Sequence, residues 1–153
     1  DDTLNLRFGR TVLENIFGPS TTDLNIVLSN QYFNDNEQFV TNTDDTCYTV
    51  QHDGSAESTS NFDVANDEVI TTGNATLQQG QLPPGSFLFI APADEALYDF
   101  CYATAAYLTF DWGELPGSID SGGVICTDND PRATANFGLY RGNDRVIYWL
   151  ERW

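Results

Sequence analysis

Short runs of alternating apolar and polar residues, cut by turn residues roughly every 8–12 positions, constrain this chain more than any other feature. Leu24, Ile26 and Leu28 stand two apart, with Asn25, Val27 and Ser29 between them. Successive side chains of a strand point to opposite faces, so a period of two buries one face and exposes the other. The pattern reads as a strand over 4–8, a second over 12–17 that stops at Gly18-Pro19-Ser20, and a third from 24 towards Tyr32 and Phe33. Asn34-Asp35-Asn36-Glu37 makes a turn before Gln38-Phe39-Val40, and Cys47-Tyr48-Thr49-Val50 is extended. Residues 51–60 read as loop, without an apolar anchor. Beyond them, 69–72 and 75–77 form a hairpin pattern about Gly73-Asn74, and 87–90, 107–112, 133–140 and 145–149 read as strands, the last two joined at Gly142-Asn143. Only 94–104 departs, because Asp94 and Glu95 ahead of Ala96, Leu97, Phe100 and Cys101 suit the first turn of a short helix. The pattern predicts an all-β protein, an Ig-like or Greek-key β-sandwich with long acidic loops, as a single domain over 1–153.

Size and charge bound the function. A chain of 153 residues with 41% hydrophobic content can bury a full core, since domains of this length remove roughly two-thirds of their surface from water. The 23 acids against 6 basic residues, all Arg, give a formal charge of −17. That charge repels nucleic acid and anionic membranes. No run reaches the ~18–20 apolar residues that span a bilayer, and the absence of a visible leader suits a mature secreted form or an excised domain. Residues 1–10 set two Asp against Arg7 and Arg10, and from 132 onward four Arg face Asp144 and Glu151. The 121 residues between carry 19 acids and no Arg or Lys.

Arg7, Arg10, Arg141 and Arg145 are therefore the candidates for strong electrostatic contacts. If the first and last strands are neighbours, the arginines form one strip. Such a strip either pairs internally with carboxylates or meets the acidic face of another copy head to tail. The segment 145–149 is apolar on both faces, which suits a central strand or an edge covered by a partner. Trp153 and Tyr98 have the weakest reason to be buried among the 20 aromatics.

Cys47, Cys101 and Cys126 form no C-x-x-C pair, so a structural zinc site lacks its ligands. The composition, with 16 Thr, 13 Asn and no Lys, looks extracellular, where one disulfide and one spare thiol are expected. Three pairings are open. Cys101–Cys126 is favoured because it would fasten a long acidic loop to the strand before it. Asn74-Ala75-Thr76 is a glycosylation sequon, meaningful only in a eukaryotic secretory host. A Ser-His-Asp triad would have to use His52, which reads as a surface histidine with no G-x-S-x-G elbow nearby. No spacing singles out a carboxylate pair for glycoside hydrolysis. The chain reads as non-enzymatic.

Both ends carry a series of short motifs. These are Leu6-Arg7-Phe8-Gly9-Arg10, then Asn15 and Gly18, Gln31-Tyr32-Phe33, and Phe39-Val40-Thr41-Asn42-Thr43-Asp44-Asp45-Thr46-Cys47. Near the other end stand Phe110-Asp111-Trp112, Asp128-Asn129-Asp130-Pro131, Arg132-Ala133-Thr134 and the run from Phe137 to Trp149. Over 4–50 and 106–151 the chain resembles the C-terminal domain of MshQ-like proteins of the MSHA type IV pilus system, whereas 51–105 matches no nameable motif. The resemblance implies a secreted or cell-surface protein of a Gram-negative bacterium, with binding or assembly at a pilus or surface rather than catalysis. Relatives of this kind run from the Asp-Trp stretch into a loop that looks like a calcium loop, which implies Asp111, Asp120, Asp128 and Asp130 as calcium ligands, with Glu114 nearby. Calcium takes six to eight oxygens. Here an insertion containing Cys126 breaks the regular acid spacing, and the alternative is a turn whose carboxylates cap backbone N–H groups. A melting temperature unchanged by calcium or by a chelator excludes the metal. Expected partners are proteins or further copies of the chain, and glycans, which concave sandwich surfaces hold with aromatic platforms and Asp or Asn side chains.

Overall fold

The computed structural model describes residues 7–54, 62–64, 70–110, 126 and 129–138. Eleven strands run through them: β1 (Gly9–Leu13), β2 (Ile16–Gly18), β3 (Leu24–Asn25), β4 (Leu28–Phe33), β5 (Phe39–Thr41), β6 (Thr49–His52), β7 (Phe62–Val64), β8 (Gly73–Thr76), β9 (Leu88–Phe89), β10 (Ala96–Tyr102) and β11 (Arg132–Phe137). One sheet has the order β1-β4-β5 and another β2-β11-β10-β7, with two-stranded ribbons β3-β9 and β6-β8. All pairings are antiparallel except β2 with β11, which is parallel, with Ile16 opposite Ala135. The chain leaves one sheet after Leu13 and joins the other at Ile16, a corner of the kind that lets one strand serve two sheets. Asn15 fixes the corner by accepting the Thr134 N–H with its side-chain oxygen at 2.9 Å.

One apolar core lies between the sheets, drawing Leu13 and Leu28 from the first and Ile16, Phe62, Phe100, Ala135 and Phe137 from the second, with Ile26, Phe87 and Phe89 from the ribbon region. The alternation about residue 26 is realised as expected, with Leu24, Ile26, Leu28 and Asn30 all inward. β11 keeps the same parity through Ala133, Ala135 and Phe137. The molecule is thus the all-β sandwich that the pattern predicts.

Several local expectations fail for identifiable reasons. The short helix over 94–104 is strand β10, because this segment is bonded on both sides, to β11 and to β7, and its Phe100, Cys101 and Tyr102 are buried. Strand partners on both edges satisfy the backbone groups of its buried end, which outweighs two acids in a favourable first turn. Tyr98 packs half-buried against Phe89 and Phe137 at ring separations of 5.2 and 6.1 Å rather than standing free. Gly73-Asn74 is no hairpin turn. It lies inside β8, opposite Gln51 and His52 of β6. His52 is buried, not at the surface: its Nδ1 accepts the Phe62 N–H at 3.2 Å and its ring packs edge-on against Phe62. Residues 107 and 108 belong to a 3-10 turn, Ala106–Leu108, in place of a strand. The expected strand over 145–149 and residues 4–6 of the expected first strand lie outside the described residues, as do 55–60 of the expected loop.

Candidate functional site

Polar residues at inward positions build the site from beneath. Thr11 on β1 and Asn30 on β4 are buried opposite one another, and Thr11 Oγ1 donates to Asn30 Oδ1 at 2.7 Å. Having spent its hydrogen there, Thr11 must accept from Thr104, whose Oγ1 is 2.8 Å away. Thr104 in turn accepts from the Tyr48 hydroxyl at 3.0 Å, and the oxygen of Tyr48 takes the Ala105 N–H at 3.3 Å. At the other end Asn30 Nδ2 donates to Asp45 Oδ2 at 2.8 Å, while Asp45 Oδ1 receives the Tyr48 and Cys47 N–H groups at 3.1 and 3.3 Å. Every hydrogen in this chain therefore points one way, from Tyr48 to the carboxylate of Asp45. Aligned bonds in a low-dielectric interior polarise and strengthen one another.

Above this chain a cleft of about 450 Å³ opens at the end of the sandwich, lined by Arg7, Tyr32, Asn42, Tyr107 and the cleft-facing parts of Asp45 and Tyr48. Arg7 lies over the Tyr32 ring, 4.3 Å from its centroid, and its Nη1 donates to Asn42 Oδ1 and Asp44 Oδ2, both at 2.9 Å. The free thiol Cys47 is at the rim and exposed.

The opposite face of the β1-β4-β5 sheet is different in kind. Arg10 alternates with Thr11, so it points outward, where its guanidinium stacks 3.7 Å from the Phe39 centroid and 4.9 Å from that of Phe110. Gln31 Oε1 accepts its Nε–H at 2.9 Å. Phe8, Phe33, Phe39 and Phe110 form one ring cluster around it, with centroids 5.2–6.3 Å apart. Phe8 is 59% and Phe33 44% exposed. Burial by the rings lowers the Arg10 pKa from its ordinary value.

Of the residues marked in the sequence, Arg7 and Arg10 come together on the first strand's end but on opposite faces, and both have partners within the molecule. Arg141, Arg145 and Trp153 lie outside the described residues, as do Asp111, Glu114, Asp120 and Asp128. Asp130 is buried and accepts the Thr104 N–H, 26 residues back in the chain, at 3.1 Å. Among the described residues no group of three or more His, Cys, Asp or Glu is placed to hold a metal. Cys101 and Cys126 form the favoured disulfide. The polar chain from Thr11 to Asp45 was not singled out from sequence. Its signal is present, however, since Asn30 continues the inward parity of Leu24, Ile26 and Leu28.

Fold and site together define a disulfide-bonded all-β domain with a buried polar hydrogen-bond chain beneath a cleft and a cluster of four phenylalanines about Arg10 on the other face of the β1-β4-β5 sheet. The chain belongs to the family described as DUF6701, fourth domain, whose model matches residues 7–152 and so runs through the otherwise unrecognised stretch 51–105. No curated protein and no solved structure matches it.

Proposed function

We propose that this domain is a non-enzymatic binding and assembly module of a secreted or surface-displayed bacterial protein, in the setting the MshQ-like resemblance implies, at a type IV pilus or cell surface. A disulfide favours an oxidising compartment, and among the described residues no helix is long and apolar enough to cross a membrane. The observation that carries the reading is the cluster of Phe8, Phe33, Phe39 and Phe110 about Arg10. Exposed aromatics with an arginine at their centre are the composition of protein contact sites.

The occupant is the acidic surface of a second copy. Residues 11–131 carry 19 acids and no Arg or Lys, so the cationic centre at this face has acidic surface of another copy to meet. Such a contact joins unlike surfaces and grows head to tail. The test is sedimentation at micromolar to millimolar concentration in low and in high salt. Oligomers that shrink as salt screens the charge, and that a Phe8→Ser/Phe33→Ser variant does not form, support the reading. A monomer under all conditions overturns it.

A further inference from the structure

We infer that the cleft above the Tyr48–Asp45 hydrogen-bond chain is a binding site for a neutral saccharide, a ligand separate from the protein contact on the opposite face of the sheet. A volume of about 450 Å³ falls in the range of small-molecule sites. The wall chemistry selects among ligand classes. Tyr32 and Tyr107 line the opening, and Tyr107 is 75% exposed with no ring or hydrogen-bond partner among the described residues. An uncovered phenol presents a flat, electron-rich face to the C–H groups of a pyranose and a hydroxyl to its oxygens. Arg7 and Asn42 stand beside it. Arg7 uses Nη1 alone in its bonds to Asn42 and Asp44, and Asn42 uses only its oxygen. The remaining N–H groups of both side chains are left for acceptors on a ligand.

Charge decides between neutral and anionic sugars. The positive charge of Arg7 is already met by Asp44 at 2.9 Å, and Asp45 lies at the floor. With a net −17 around it, the site has no surplus attraction for a carboxylate or sulfate. The lining mixes the polar groups of Asn30, Asp45 and Tyr48 at its floor with Leu108 and the tyrosine rings, which suits a ring with both C–H and O–H faces better than an all-apolar lipid tail. That floor is held by the one-way hydrogen-bond chain, so the cleft is formed before a ligand arrives and little ordering entropy is lost on binding. Hydroxyl-rich, uncharged and faced with C–H groups, a neutral pyranoside meets all of these conditions.

Cys47 supplies the reporter. It lies at the rim, and with Cys101 and Cys126 joined it is the chain's one free thiol. The rate at which a maleimide labels Cys47 in the intact oxidised protein should fall when the cleft is filled. The probes are methyl glucoside, methyl galactoside, methyl mannoside and N-acetylglucosamine, with galacturonate as the anionic arm. At least one neutral sugar should slow labelling about threefold at a concentration near twice its Kd. Tyr107→Ala should abolish that protection without changing the melting temperature, because the ring is exposed. Labelling that no neutral sugar slows at any concentration up to the solubility limit overturns the proposal. So does protection that survives Tyr107→Ala, or galacturonate protecting better than every neutral sugar. The readout does not depend on association, since a variant with Phe8 and Phe33 changed to Ser keeps the cleft residues and should still show protection.

Discussion

Tyr102 shows how burial at one position becomes a property of the whole fold. Its ring is fully buried against Phe62, and its phenol is pushed above its ordinary value of 10.0, first by burial and then by the neighbouring Tyr48, while the Gln51 N–H works weakly against both. In the unfolded chain the same phenol loses its proton near pH ~10. The folded state thus holds a proton that the unfolded state gives up, so the stability it contributes is complete below about pH 10 and declines as pH rises above it. We expect Tyr102→Phe to flatten the loss of melting temperature between neutral and strongly alkaline pH, measured by thermal denaturation across that range. An unchanged alkaline slope would count against this assignment. His52 is the complementary lesson. Its polar neighbours Gln51, Asp53 and Gly54 make a surface histidine the natural sequence reading, yet β6 carries it inward to meet Phe62, a contact ten residues away that local composition does not reveal.

Among the elements, the β4–β5 hairpin was legible because its chemistry is local. Asn34 folds its side chain back to accept the Asn36 and Gln38 N–H groups at 2.9 and 3.0 Å, and Glu37 takes the left-handed conformation at φ 60°. β10 was not legible, since what makes it a strand is the presence of β7 and β11 on its two edges, from distant parts of the chain. The cleft was hidden for the same reason: Arg7, Asn42 and Tyr107 meet only once the sandwich has formed. A loop glycine shows how closely these parts are fitted. Gly80 sits at φ +78°, donates to the Asp45 carbonyl at 2.9 Å and accepts from the Asn30 N–H at 2.8 Å, directly against the Asn42 carbonyl. A Cβ there meets that backbone head-on. We expect Gly80→Ala to cost about 2–4 kcal/mol, from strained backbone and overpacking together, and chemical denaturation gives the value. A change within experimental error would show that the loop yields freely.

For the molecule as a whole, the Cys101–Cys126 bond fastens the strand at the centre of the larger sheet to a point 25 residues further along. Closing a loop of that length in the unfolded chain is worth about 3–4 kcal/mol by the chain-entropy estimate. Comparing urea midpoints with and without reductant measures it, and equal midpoints would show the bond to be energetically idle. Arg7 and Arg10 lie near one another in sequence but serve different surfaces, one fixing a cleft wall through Asp44 and the other centring a ring cluster. A charge count finds both and cannot separate them, because the pleat of β1 does.

The parallel pairing of β2 with β11 carries a consequence in time. Asn15 and Thr134 meet across 119 residues, so the larger sheet lacks its inner strand β11, and with it the partner of its edge strand β2, until most of the chain has been made. Long-range pairings of this kind are slow to form. A chain whose inner strand arrives last cannot close this sheet early. A truncated chain ending before Arg132 should accordingly remain sensitive to protease under conditions where the intact domain resists, and protection of the shorter chain would show that the early strands fold without their late partner.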